Sequence, residues 1–249
     1  MTERSGGRIL VDQLLVHGTD MAFCVPGESY LPVLDALHDV RDRLRLVNAR
    51  HEAGAANMAE AYGKLAGKPG ICLVTRGPGA CHASAGVHTA FQDSTPMLLL
   101  VGQVGRRFAD REALQEVDLR RMFGPLAKWV AQIEVTSRIP EYLARAYQVA
   151  TSGRPGPVVL ALPEDVLADS ADVPDAAPHV SVQPEITPAQ LARVRALLES
   201  AERPLLLVGG PGWTDDACAL IVKWAEASGL PAACSFRRQD VFHNGSPSF

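Results

Sequence analysis

Leu44-Arg45-Leu46-Val47-Asn48-Ala49-Arg50-His51-Glu52-Ala53-Gly54-Ala55-Ala56, followed by Gly70-Ile71-Cys72-Leu73-Val74-Thr75-Arg76-Gly77-Pro78-Gly79-Ala80, decides the fold. Residues 44–47 predict a short apolar strand, and residues 53–65 predict a helix of small side chains. A second strand is expected over 70–75 and a second helix over 80–91. Each strand ends in a turn from which the next helix starts. The first turn carries a carboxylate, Glu52, to the top of a sheet where neighbouring chain excludes water. A carboxylate in such a place holds its proton to higher pH and can share it with a bound heterocycle. The second turn, residues 75–79, is a tight Gly-Pro-Gly bend. The two junctions together mark a cofactor site.

The same alternation runs outward in both directions. Helices are expected over 8–17, 30–40 and 139–151. Strands are expected over 22–25, 97–101, 128–133 and 157–162, with an irregular charged stretch after 101. Several strands are short, rich in Val and Leu and not alternating, as when helices cover both faces of a parallel sheet. The fold class is therefore α/β: an open, doubly wound, mostly parallel sheet, followed by a truncated second α/β unit. The first domain is placed at residues 1–165. Residues 166–187, acidic, Ala-rich and broken by Pro174, Pro178 and Pro184, read as a linker. From 188 to 249 come helix (188–201), strand (204–208), helix (214–228) and strand (230–234). Two strands do not make a stable sheet, so this unit reads as incomplete unless another chain completes it.

Composition excludes several classes. Net charge is −4 over 249 residues, with no basic face to suit nucleic acid. No apolar run reaches the roughly 20 residues that span a bilayer. The N-terminus lacks a hydrophobic signal core, so a cytoplasmic protein is expected. The cysteines at 24, 72, 81, 218 and 234 form no Cys-x-x-Cys pair and read as free thiols in a reducing compartment. Cys81 and His82 are neighbours, but adjacent helical residues point about 100° apart and clamp a metal poorly. No metal ligand set is assigned.

The motifs that carry a resemblance are Cys24-Val25-Pro26-Gly27-Glu28, Arg50-His51-Glu52, residues 60–70 (Glu-Ala-Tyr-Gly-Lys-Leu-Ala-Gly-Lys-Pro-Gly) and Thr75-Arg76-Gly77-Pro78-Gly79-Ala80. Asp93-Ser94-Thr95-Pro96-Met97, Gly102-Gln103-Val104, residues 114–118 and residues 152–158 extend them. In this order they resemble the N-terminal, pyrimidine-binding domain and the start of the central domain of the thiamin-diphosphate-dependent acetolactate synthase and pyruvate oxidase family. The resemblance runs from about residue 5 to 249.

The resemblance implies a transferase or lyase acting on a small 2-keto acid, with a place in branched-chain amino acid biosynthesis among the roles it suggests. It implies that thiamin diphosphate lies between the first domain of one subunit and the third domain of another. The first domains would pair in a homodimer or homotetramer. Magnesium would be held by a Gly-Asp-Gly motif and paired asparagines, which these 249 residues lack. The metal and diphosphate wall would come from a further domain or from a partner chain in a split enzyme. A non-catalytic remnant or interaction module is the other alternative.

By the same resemblance Glu52 bonds N1′ of the aminopyrimidine and favours its 4′-imino form. Pro26, Gly27, Thr75, Gly77 and Pro78 border the ring, and Gln115 reaches the reaction centre of a neighbouring subunit. Read alone, Glu52 is a first-turn acid complementing the helix dipole. Read alone, the Pro-Gly pairs are turns and Gln115 is an exposed loop amide. His82 stands where the family commonly has asparagine. Glu28 is a second acid at a strand-to-helix turn, and its first-turn reading is favoured. Lys128 matches a lysine near the substrate channel, with a solvated lysine as the plainer reading. Gly124 replaces an arginine associated with FAD. The turn at residues 209–212 could approach a pyrophosphate, but the polar, cationic segment 235–240 replaces an apolar loop, so FAD is not the favoured cofactor. Arg237 and Arg238 suit either an anionic ligand or a salt-bridged interface.

Overall fold

A computed structural model describes residues 3–182 and 184–249. The chain divides into two compact units, one ending at Ser181 and one starting at Val182. In the first unit the elements run β1 (Arg4–Ser5), α1 (Gly6–Val16), β2 (Met21–Cys24), α2 (Leu31–Asp39), β3 (Arg45–Asn48), α3 (Glu52–Ala66), β4 (Gly70–Val74) and α4 (Pro78–Asp93). They continue with β5 (Met97–Gln103), α5 (Leu119–Phe123), β6 (Trp129–Gln132), α6 (Ile139–Thr151), β7 (Pro157–Pro163), α7 (Glu164–Ala168) and β8 (Ser170–Ala171).

Six strands form one parallel sheet in the order β3-β2-β4-β5-β7-β6. Every residue of β4, β5 and β7 is buried. Successive side chains still alternate between two cores. Ile71, Leu73, Leu98, Leu100, Val158 and Leu160 pack with α1, α2 and α6. Cys72, Val74, Leu99, Val101 and Val159 pack with α3 and α4. The doubly wound α/β expectation is met. The chain goes from β2 outward to β3 and then crosses back to β4 on the other side of β2. That reversal makes the crevice beyond the carboxyl ends of β2 and β4 the place where open α/β sheets bind ligands.

The small residues of α3 have a packing reason. A Cβ added at Gly86 of α4 would lie 2.6 Å from Ala56 Cβ, so the two helices approach almost backbone to backbone. Helix α3 ends at Gly67, whose φ of 65° is the left-handed conformation that a glycine cap supplies.

Residues 164–179 pack on the first unit. β8 pairs antiparallel with β1, and Arg4 bonds Asp12, Asp175 and the Val173 carbonyl. The buried Gln13 side chain accepts from Ala176 N–H at 2.9 Å and donates to its carbonyl at 3.2 Å. His17 stacks on Tyr147, with ring centroids 4.2 Å apart, and accepts from the His179 backbone N–H at 3.2 Å. Burial, reinforced by the charge of His179, pushes the His17 pKa down from 6.5 to about 4. The unfolded chain therefore binds this proton first. The stability contributed by the neutral ring is complete above pH 6.5 and is lost as pH falls toward 4. Thermal melts of the wild type should lose stability more steeply over that window than melts of His17→Gln. Parallel curves would remove the assignment.

The second unit contains α8 (Pro188–Ser200), β9 (Leu206–Val208), α9 (Asp215–Ser228) and β10 (Ala232–Cys234). Thr187 and Gln190 form a reciprocal capping box on α8, and β9 pairs parallel with β10. Its core is small: Val208, Ala225, Leu230, Ala232, Val241 and Phe242. Among the described residues no helix is long and apolar enough to cross a membrane.

Candidate functional site

β3 is the edge strand beside β2, and its end hands the chain directly to α3. His51 is the cap: its Nδ1 accepts from the Ala53 N–H at 3.2 Å, satisfying a donor the helix leaves free. Glu52 is thereby the first helical residue, and its side chain is only 14% exposed. The position suits a carboxylate because the helix N-terminus carries positive partial charge.

The turn after β4 faces it. Gly77 has φ 45° and ψ −100°, and Pro78 opens α4 at the position where its missing N–H costs nothing. A Cβ at Gly79 would stand 3.6 Å from Glu52 Oε1 and 3.0 Å from Thr75 Cγ2. The carboxylate therefore lies beside bare backbone. A Cβ at Gly27 would lie 2.7 Å from Thr75 Cβ, so the bends after β2 and β4 touch through Thr75. Ser29 Oγ bonds Thr75 Oγ1 at 2.8 Å and tightens that contact. Pro26 precedes it, exposed at the rim. Glu52, Pro26, Gly27, Thr75, Gly77 and Pro78 thus share one rim of the sheet.

His82 lies on α4, and its Nδ1 is 2.9 Å from Glu52 Oε2. Its ring is half-exposed and lies 4.5 Å from that of His51, with planes 31° apart. His51 was quoted in the motif but not assigned a role. Its 31-residue separation from His82 closes only because α3 and α4 start side by side.

Gln115 enters through its backbone. A Cβ at Gly77 would be 2.5 Å from the Gln115 carbonyl, and Gln115 itself has φ 61°. Among the described residues no hydrogen bond joins its exposed side chain to Glu52. The loop that carries it is pinned by Arg76, a residue that sequence reading passed over. The buried Arg76 guanidinium donates from Nε to the Leu114 carbonyl at 3.0 Å and from Nη2 to Glu28 at 2.9 Å. Glu116 adds two bonds to the backbone N–H groups of Asp110 and Ala113, which hold its carboxyl below the usual range. Glu28 is thus a partner of Arg76.

Lys128 is elsewhere. Its Nζ donates to the carbonyls of Val149 and Ser152 at the end of α6, and burial lowers its pKa. It serves as a helix-end group rather than a solvated lysine. In the second unit Arg238 pairs with Asp240 at 3.1 Å and donates to the Gly210 carbonyl at 2.7 Å, while Arg237 lies over the Phe236 ring. Cys24 and Cys72 are buried free thiols, and burial raises both pKa values, that of Cys24 to about 11.

Residues 4–122 match the family model of the thiamine pyrophosphate enzyme N-terminal TPP binding domain, and residues 191–249 match that of the thiamine pyrophosphate enzyme central domain. The chain is 34% identical over 250 residues to a probable acetolactate synthase large subunit of Methanococcus aeolicus, covering 98% of this chain and 41% of that one. It is 36% identical over 244 residues to the acetolactate synthase isozyme 3 large subunit of Escherichia coli K12, covering 96% and 42% respectively. With the acetolactate synthase large subunit of Lactococcus lactis it shares 36% identity over 210 residues, covering 83% and 36%. The chain therefore spans about two fifths of the length of these curated relatives.

Proposed function

The chain belongs to the thiamine pyrophosphate enzyme family, and on that premise we propose that it forms the pyrimidine wall of an acetolactate-synthase-like enzyme acting on 2-keto acids. The observation that carries the proposal is the Glu52 carboxylate, 14% exposed at the head of α3 and beside the uncovered backbone of Gly79. An aminopyrimidine edge needs such a place: one acceptor that can also carry a proton, and a floor with no side chain in the way. Pro26, Gly27, Thr75, Gly77 and Pro78 would border the ring, with His82 on the solvent side of Glu52. Bound thiamin diphosphate supplies the carbon nucleophile and the electron sink for decarboxylation of a keto acid.

The chain's own part is proton handling and orientation. Glu52 would offer the aminopyrimidine edge a carboxylate oxygen that can take up and return a proton, a role that glutamine can imitate in shape but not in exchange. Thr75, with Gly27 and Gly79 packed against it, would form the floor beneath the ring. Gln115, on the pinned loop, is proposed to act at the reaction centre of a neighbouring subunit in a homodimer or homotetramer. Magnesium and the diphosphate would be held by a wall supplied from a further domain or a partner chain. FAD remains unfavoured: Arg238, beside the Gly209–Gly212 turn, is already engaged with Asp240 and Gly210. A cytoplasmic setting suits the five free thiols.

This wall lacks the diphosphate grip. Calorimetry on the 249-residue chain should show thiamin diphosphate binding no tighter than about millimolar, roughly −4 kcal/mol, with or without magnesium. Micromolar, magnesium-dependent binding by this chain alone would overturn the division of the site between two walls.

A further inference from the structure

We propose that His51, Glu52 and His82 form a transition-metal site, one that takes Zn2+ or a similar first-row divalent cation and competes with the pyrimidine for Glu52. One donor atom from each of the three lies within 4.8 Å of the others. His82 Nδ1 and Glu52 Oε2 are already 2.9 Å apart, and the two imidazoles are neighbours. Ligand atoms on a tetrahedral Zn2+ shell of about 2.1 Å radius sit about 3.4 Å apart. The donors must therefore draw together by up to about 1.4 Å. The rings of His51 and His82 are exposed and can turn to do so. Two imidazoles and one carboxylate form a borderline donor set that suits zinc and its neighbours rather than magnesium or calcium.

Charge decides whether a cation is tolerated there. The helix N-terminus contributes about half a positive charge, and this falls off within a turn. The carboxylate contributes a full negative charge in direct contact. His82 is on the second turn of α4, beyond the strongest part of that helix's field. The metal binding stands on these three residues alone. The competition with cofactor rests additionally on the assignment of Glu52 proposed above.

The test is titration of Co2+ alone into the chain, followed by its visible absorption, with Zn2+ added to displace it. One equivalent bound per chain is expected, with Zn2+ displacing the Co2+ spectrum. His82→Asn and His51→Asn should each weaken binding by more than about 100-fold, since losing even an outer hydrogen-bond partner of a ligand costs about 10–100-fold. Asparagine still caps a helix, so His51→Asn leaves α3 intact. An absent Co2+ spectrum, or binding that survives both substitutions, overturns the site. Because the readout needs no cofactor, it fails or succeeds independently of the catalytic reading. In the assembled enzyme, micromolar Zn2+ should then raise the apparent Kd for thiamin diphosphate in wild type and not in His82→Asn. Equal responses would overturn the competition while leaving the metal site standing.

Discussion

Glu52→Gln should depress turnover of a 2-keto acid by on the order of 10²–10⁴-fold once this chain is joined to, or supplied with, a diphosphate-binding wall. The fold should barely register the change. Among the described residues Glu52 makes one side-chain bond, to a half-exposed His82, and pairs near the surface are worth about 0–1 kcal/mol. Glutamine keeps the length, the planarity and one acceptor oxygen. It lacks a proton that can leave. The separation of a large kinetic loss from a small stability change is therefore the signature of proton transfer, which a helix-dipole role would not produce. A second readout isolates the step: exchange of the cofactor's acidic C–H with deuterated solvent, followed by NMR in the assembled enzyme, should slow by a similar factor. If the variant turns over and exchanges at the wild-type rate, Glu52 is only a first-turn acid.

The junctions were legible because strand-end punctuation is local chemistry. The Gly-Pro-Gly bend at 77–79 and the acid at 52 are visible in windows of a few residues, and both lie at the ends of parallel strands as expected. β3 starts at Arg45 rather than Leu44, since its limits depend on pairing with β2. The pairing of β1 with β8 joins residues 4 and 171, and a two-residue strand has no pattern of its own. The helix α5 falls within a stretch read as irregular and α7 straddles the expected domain boundary at 165; at five residues each they are too short to show a period. α5 still has its start signal, Asp118 capping the Arg121 N–H. Arg76 was hidden for a different reason: an arginine after a strand looks exposed until the loop at 114 and Glu28 close over it. The histidine pair was missed because its members belong to two helices whose adjacency is tertiary.

Gly70→Ala should be among the most damaging single-methyl additions in the first unit. Gly70 opens β4, the strand beside the crevice, and a Cβ there would sit 1.8 Å from the Ala59 carbonyl oxygen and 2.7 Å from its carbon. The obstacle is helix backbone, which cannot swing aside as a side chain can. Restoring ordinary contact requires α3 and β4 to separate by roughly an ångström and a half, and overpacking of a well-packed core costs about 1–3 kcal/mol and sometimes more. The upper end is expected here, because Gly63 blocks the compensating slide: its own Cβ position is already 2.4 Å from the Pro96 carbonyl. A loss of at least about 3 kcal/mol is a large part of the 5–15 kcal/mol that holds a domain folded. Urea unfolding should shift its midpoint down by about 1 M or more. Gly54→Ala, on α3 with nothing within 4 Å of the added carbon, provides the contrast and should stabilise by about 0.4–1 kcal/mol. The two glycines also differ in what they do to the site. α3 carries Glu52 at its head, so any Gly70→Ala protein that still folds must do so with α3 displaced, and a shift of about 1 Å is enough to cost about 100-fold in rate. A Gly70→Ala chain as stable as wild type would mean that α3 does not rest on β4 through hydrogen atoms alone, and the placement of Glu52 would lose its structural basis.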